Sequence, residues 1–218
     1  MYPLVKKHGV ILEKTENSFE NEGVFNPAAI REGEFVHLFY RAVREGNFSS
    51  IGYCKIQGPL DVIERSKHPI FSSGTSQEFK GTEDPRITKI EDTYYLSYSA
   101  FDGVNVFGAY AISKDLKTFE RKEIITPKFT YDEYAAQTSS DGLIYHAAEA
   151  LLDIDDPCKV LAHLKKPLFE PTEPYEKAGV VNNIVFPSGN ALFDDEFISN
   201  TELPTSPPLL SQCQSALC

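Results

Sequence analysis

The strongest constraint on what this chain can fold into is an internal repeat. Phe25-Asn26-Pro27-Ala28-Ala29-Ile30 precedes one hairpin-like segment and Glu83-Asp84-Pro85-Arg86-Ile87 precedes the next, with Asn26 and Asp84 58 residues apart. Ser50-Ile51-Gly52-Tyr53 then matches Val106-Phe107-Gly108-Ala109 at an offset of 56, and His68-Pro69-Ile70 matches Thr126-Pro127-Lys128 at 58. Three landmarks at nearly one offset mark tandem supersecondary units. Within each unit the segments are rich in β-formers, as in residues 35–42 (Phe-Val-His-Leu-Phe-Tyr-Arg-Ala) and 94–100 (Tyr-Tyr-Leu-Ser-Tyr-Ser-Ala). Gly33, Gly46, Gly58, Gly103 and Gly142 punctuate them beside Asp, Asn and Glu, which is hairpin chemistry. Helical periodicity is scarce, and 14 prolines oppose long helices. The best helix candidate, residues 147–152, reads equally as a strand. A unit of three to four strands with Gly and aromatic landmarks predicts a blade of an all-β propeller.

The later units are shorter. Residues 141–147 resemble the middle of a unit and Lys166-Pro167-Leu168-Phe169 its end, yet Pro127 to Pro167 is only 40 residues. Val185-Phe186-Pro187-Ser188-Gly189 opens a fourth unit that does not finish cleanly. The expectation is therefore two whole blades and two partial ones.

A net charge of −11 would repel a phosphate backbone, which excludes nucleic acid as a partner while leaving room for a local basic pocket. No apolar run approaches the roughly 18 residues that a membrane span needs, and no secretory signal follows the first lysines, so the expected location is cytoplasmic. Cys54, Cys158, Cys213 and Cys218 have neither zinc nor disulfide-framework spacing. His146 has no second His or Cys at metal spacing, and the acidic run Asp153, Asp155 and Asp156 lacks a full calcium-loop pattern. No metal or organic cofactor is implied.

Several motifs together resemble glycoside hydrolase family 130. They are Phe25-Asn26-Pro27-Ala28, Phe39-Tyr40-Arg41-Ala42, Gly81-Thr82-Glu83-Asp84-Pro85-Arg86-Ile87 and residues 94–100, followed by residues 148–153, Asp155-Asp156-Pro157, Glu173-Pro174-Tyr175-Glu176 and residues 183–189. The similarity covers residues 1 to about 131 and about 141 to 197. It implies a five-bladed β-propeller that cleaves β-mannosidic bonds, mostly by phosphorolysis to mannose 1-phosphate and in one branch by hydrolysis. Five blades of this repeat need roughly 290 residues, so the chain is short for its family. A block containing Phe-Pro-Glu-Lys and a later His-Arg pair is expected between about 131 and 141 and does not occur. After Ile198 the usual Tyr-Gly-Ala-Ala-Asp strand is replaced by Thr201-Glu202-Leu203-Pro204-Thr205, which the same codons encode when read one frame over. The expected organisation is a single propeller domain over residues 1–198 and an atypical tail, possibly out of frame, over 199–218.

The resemblance makes Asp84 the catalytic acid, acting through a sugar hydroxyl. Glycosidic cleavage needs an acid for the departing oxygen, and phosphate, already nucleophilic, needs no base. Arg41 and Arg86 offer planar donor forks suited to phosphate or sugar hydroxyls. Asn26 takes in the first unit the position of Asp84 in the second, where an amide can hold a sugar hydroxyl without titrating. Glu83 can raise the pKa of its neighbour, although adjacent strand residues ordinarily point to opposite faces. Asp102 is a further substrate-contact candidate, with the alternative of a hairpin turn at Asp102-Gly103. The expected partners are a small β-mannoside and inorganic phosphate as co-substrate, with self-association as a way to cover open sheet edges. Hydrolysis on the same fold, or an inactive sugar-binding remnant, are the alternative readings.

Overall fold

The computed structural model describes residues 6–58, 60–124, 137–139, 142–144, 150–152, 160–163, 166–178, 182–193, 196–202 and 212–217. The expected landmarks Thr126-Pro127-Lys128, His146, Asp153, Asp155, Asp156 and Cys158 lie outside them, as does most of the 131–141 stretch. Strand β1 (Lys6–Glu13) comes first. Blade 1 follows as a meander of β2 (Gly23–Glu32), β3 (Phe35–Arg44), β4 (Phe48–Gln57) and β5 (Asp61–Arg65), each antiparallel to the next. Blade 2 repeats this with β6 (Gly81–Ile90), β7 (Thr93–Phe101), β8 (Val106–Ser113) and β9 (Glu120–Ile124). A single parallel bridge between Ser49 and Gly81 ties the two blades.

Two two-stranded pieces come next: β10 (Gln137–Ser139) with β11 (Gly142–Ile144), and β12 (Ala150–Leu152) with β13 (Val160–His163). Residues 150–152 of the helix candidate are thus a strand. A four-residue helix α1 (Pro174–Lys177) leads into β14 (Phe186–Phe193), β15 (Glu196–Glu202) and β16 (Gln212–Leu217). These three and β1 form one sheet in the order β1-β16-β15-β14.

The expected unfinished fourth unit is therefore corrected to a four-stranded sheet whose outer strand comes from the beginning of the chain. A pairing across some 200 residues leaves no local trace in sequence. Strand β15 also runs through position 198, so the expected boundary between domain and tail falls inside a strand. The fold is an all-β propeller of the five-bladed glycosidase type, incomplete among the described residues.

Blade 1 is covered on both faces, which explains the nearly unbroken apolar run of β3. Leu38, Tyr40, Cys54 and Ile56 point to one side and pack with Leu12, Phe19 and Val24. Phe39, Ile51 and Tyr53 point to the other and pack with Phe71, Leu96 and Tyr98 of the neighbouring blade. Blade 2 alternates more cleanly: Tyr94, Leu96, Tyr98 and Ala100 of β7 are buried and the residues between are not. Each large apolar side chain so buried contributes about 1.5–3 kcal/mol.

A buried carboxylate stands just before each inner strand. Glu20 is wholly buried and accepts the hydroxyls of Thr15 at 2.6 Å and Tyr40 at 2.8 Å and Arg65 Nη2 at 2.9 Å. Glu78 accepts the Tyr98 hydroxyl at 2.6 Å, Arg121 Nε at 2.9 Å and the Gly74 amide at 2.7 Å. Glu176, equally buried, accepts the amides of Thr172 and Glu173 at 2.8 and 2.9 Å. The first two sets are copies, with Glu20 and Glu78, and Tyr40 and Tyr98, each 58 residues apart. Burial and the facing carboxylate push both tyrosine hydroxyls well above their usual range.

Removing one member of a buried ion pair leaves its partners unmatched and costs on the order of 3–5 kcal/mol. Arg121 is partly exposed and can rehydrate, which places Glu78→Ala near the lower end. The urea midpoint should fall accordingly with an unchanged slope, while Glu120→Ala, whose pair with Lys122 is at the surface, leaves it in place. An unshifted midpoint for Glu78→Ala would remove the anchoring role.

Candidate active site

The site is built by two matching β-bulges. In blade 1 Phe25 pairs with Arg41 and Ala28 with Phe39, so Asn26 and Pro27 together face Tyr40. In blade 2 Glu83 pairs with Ser99 and Arg86 with Ser97, so Asp84 and Pro85 face Tyr98. A bulge suits Pro, which has no amide to give to the ladder. The residue before it is left-handed in both blades, with φ 42° at Asn26 and 50° at Asp84. Asn and Asp are the non-glycine residues that best tolerate that region. Held strain of this kind costs on the order of 1–3 kcal/mol and concentrates at functional sites.

The bulges turn the two side chains toward one another. Asn26 Nδ2 donates to Asp84 Oδ1 at 2.7 Å across the 58-residue separation. Arg41, near the end of β3, donates from Nη2 to Glu83 Oε1 at 2.8 Å and holds Nη1 3.6 Å from Asp84 Oδ1. Glu83 and Asp84 thus face the same guanidinium. The opposite-face alternative for Glu83 is corrected by the bulge, which breaks the period-two alternation between them. Ser49 completes the group, accepting from Arg41 Nε at 3.0 Å and donating to Glu83 Oε1 at 2.9 Å.

The two carboxylates differ in environment. Glu83 is 13% exposed and Asp84 38%. Burial pushes the Glu83 carboxyl above its ordinary range, with the Asp84 charge adding to it and Arg41 and the Ser49 hydroxyl opposing. Glu83 is the inner partner that holds Arg41, and Asp84 is the carboxylate a ligand can reach. Buried Asn26 Oδ1 and Thr82 Oγ1 have no hydrogen-bond partner among the described residues. The amide oxygen beside Asp84 is thereby left for an incoming donor.

Arg86 is exposed, follows the second bulge, and donates to its neighbour Pro85's carbonyl at 2.8 Å. Among the described residues it makes no ion pair, so it is a cation available to an anion beside Asp84. Asp102 is engaged in the β7–β8 loop, accepting the amides of Val104 and Asn105 at 2.7 and 2.6 Å and Asn105 Nδ2 at 2.9 Å. The geometry gives it the hairpin role. No group of three His, Cys, Asp or Glu side chains among the described residues could hold a metal ion.

A cleft of about 440 Å³ opens between the blades, lined among others by Arg44, Phe48, Ser49, Phe79, Lys80 and Gly81. None of Asn26, Arg41, Glu83 or Asp84 lines it; Ser49 connects the two regions. The site is located by the chemistry of its side chains rather than by concavity. Sequence reasoning missed Ser49 and the buried glutamates. Ser49 carries no local signal, because its partners lie on other strands. The glutamates do carry one, since Glu20, Glu78 and Glu176 each stand three residues before a glycine and six before Asn26, Asp84 and Asn182.

Strand register refines the repeat. Tyr40 pairs with Gly52, but its counterpart Tyr98 pairs with Ala109. Gly52 is therefore equivalent to Ala109 rather than Gly108, because the second hairpin loop is one residue shorter. Glycine is required at 52, where a Cβ would sit 2.3 Å from the Tyr40 ring.

The model of glycoside hydrolase family 130, described as β-1,4-mannooligosaccharide phosphorylase, matches residues 4–144 and 134–200. A 1,2-β-oligomannan phosphorylase of Thermoanaerobacter sp. (strain X514) is 32% identical over 261 positions, covering 85% of this chain and 88% of that protein. A β-1,2-mannobiose phosphorylase of the same organism is 30% identical over 263 positions, covering 84% and 87%. Both alignments are longer than the 218-residue chain, so they open gaps within it. A Bacteroides ovatus structure titled as a putative glycoside hydrolase superposes with a TM-score of 0.78 at 19% identity, covering all of this chain and 96% of the other. With the family match spanning most of its length and curated relatives at 30% identity or above, the chain belongs to glycoside hydrolase family 130.

Proposed function

We propose that this protein cleaves β-mannosides by inverting phosphorolysis, releasing mannose 1-phosphate. The observation that carries the reading is the Asn26–Asp84–Arg41 cluster: one reachable carboxylate, hydrogen-bonded to an amide whose oxygen is free, beside a guanidinium anchored from behind by Glu83. The phosphorylase activity of the relatives supports it.

In this reading Asn26 and Arg41 hold the sugar, and Asp84 delivers a proton, through a sugar hydroxyl, to the glycosidic oxygen as its bond to the anomeric carbon breaks. Phosphate attacks that carbon from the opposite face, held by Arg86, and the proton stays on the departing sugar. Inversion follows from the single displacement. No second carboxylate is needed, because phosphate is the nucleophile. Phosphate is the co-substrate and a small β-mannoside the substrate. The cytoplasmic location and a self-association that covers open sheet edges belong to the same proposal.

Asp84→Asn removes the acid while keeping size and hydrogen bonding. Turnover of β-1,2-mannobiose with phosphate should fall by roughly 10²–10⁴-fold, the usual contribution of general acid catalysis. Mannose 1-phosphate release is the measurement, run with and without phosphate. Free mannose formed equally well without phosphate indicates hydrolysis, and no release in either buffer from folded protein indicates a sugar-binding remnant.

Arg86→Ala removes a charge-assisted contact, which is worth about 1.5–3 kcal/mol. The phosphate dependence of turnover should therefore weaken by about 10–100-fold in kcat/KM, with a smaller change toward mannobiose. Equal losses toward both substrates would take the phosphate role away from Arg86.

A further inference from the structure

The hydrogen bonds around Arg41 leave little freedom in how they are assigned. A serine hydroxyl has one proton. Ser49 Oγ accepts from Arg41 Nε at 3.0 Å, so that proton goes to Glu83 Oε1 at 2.9 Å. The same Oε1 takes Arg41 Nη2 at 2.8 Å. The guanidinium is planar, and tying Nε and Nη2 along one edge fixes its rotation. What remains is Nη1, aimed at Asp84 Oδ1 from 3.6 Å. That is too long for a hydrogen bond, so Nη1 keeps its donors for a group that enters between them.

Ser49 is itself held rigidly. It is 5% exposed, its amide donates to the Lys80 carbonyl at 3.0 Å, and it forms the parallel bridge to Gly81. A Cβ on Gly81 would lie 2.7 Å from the Ser49 carbonyl oxygen and 2.8 Å from its nitrogen, so only glycine permits this approach. Two residues beyond Gly81 the same strand carries Glu83, then Asp84. The Ser49–Gly81 contact therefore sets how far Arg41 of blade 1 stands from the carboxylates of blade 2.

Blade architecture does not call for this hydroxyl. Ser49 pairs with Val43, and the equivalent pair in blade 2 is Val106 with Phe101. Where no charged pair has to be held, the chain has valine.

We propose that Ser49 is a positioning residue: by bridging Arg41 Nε and Glu83 it sets the guanidinium so that Nη1 alone faces Asp84 and the bound sugar. The function assigned to Ser49 rests on the phosphorolytic reading above, but its effect on Glu83 does not.

The experiment compares wild type, Ser49→Ala and Ser49→Thr, the last keeping the hydroxyl, with urea unfolding as a check of the fold. Turnover of β-1,2-mannobiose with phosphate is measured alongside the ¹³C NMR titration of the Glu83 carboxyl, assigned with Glu83→Gln. In Ser49→Ala the kcat should fall roughly 10–100-fold, the scale of a small misplacement at a reacting centre, with KM little changed and the loss recovered in Ser49→Thr. The Glu83 titration should move upward, because a hydrogen bond to its charged form is gone. An unmoved Glu83 titration in folded Ser49→Ala overturns the proposal, as does an undiminished kcat when wild type is active. A wild type that shows no turnover counts against the phosphorolytic reading alone, and the titration then decides for or against Ser49.

Discussion

A carboxylate taken out of water has to be matched, and the burial of Glu20 and Glu78 organises both described blades. An unmatched buried charge costs several kcal/mol, so the surroundings must converge on it. They converge from across the blade. Glu20 precedes the inner strand, Tyr40 lies on the second strand and Arg65 ends the outermost one. Glu78, Tyr98 and Arg121 repeat the arrangement. One buried group thus joins the innermost and outermost edges of a sheet that is otherwise held by ladder bonds and apolar contact.

This constraint reaches the active site directly. Tyr40 and Tyr98 are the residues opposite the two bulges. A tyrosine held by its hydroxyl fixes the strand position against which the extra residue must bulge out. The left-handed backbone of Asn26 and Asp84 is then imposed by its surroundings, and their side chains meet at 2.7 Å. The repeat supplies two equivalent positions, and the chemistry comes from their divergence. Blade 1 offers an amide where blade 2 offers a carboxylate. Phe25 corresponds to Glu83 and Arg41 to Ser99, so the guanidinium comes from one blade and its carboxylate from the other. A symmetric pair could not form that contact.

The fold class was legible because β-meanders are local. Hairpin glycines, period-two strands and the 58-residue offset lie along contiguous sequence, and the structure returns two whole blades from them. The pairing of Asn26 with Asp84 was half legible: their equivalence could be read, and propeller symmetry does the rest. The side on which Glu83 lies could not be read, because it depends on a bulge that two-residue periodicity does not announce. The four-stranded final sheet was illegible for another reason. Its outer strand β1 reaches β16 from the other end of the chain, and no spacing rule connects residues so far apart.

The sequence by itself determined the blade repeat, the β-rich hairpins, the family and the residue types gathered near the axis. Each of these is written in neighbouring residues or in a constant offset. Only the tertiary structure decided which of those residues touch. It put Glu83 inside and Asp84 within reach, gave Asp102 to a loop, and brought Ser49 against Gly81 between blades. The reason is physical: a hydrogen bond or ion pair is set to within a few tenths of an ångström by packing from several strands at once. That packing is a property of the assembled sheets and of no single stretch of chain.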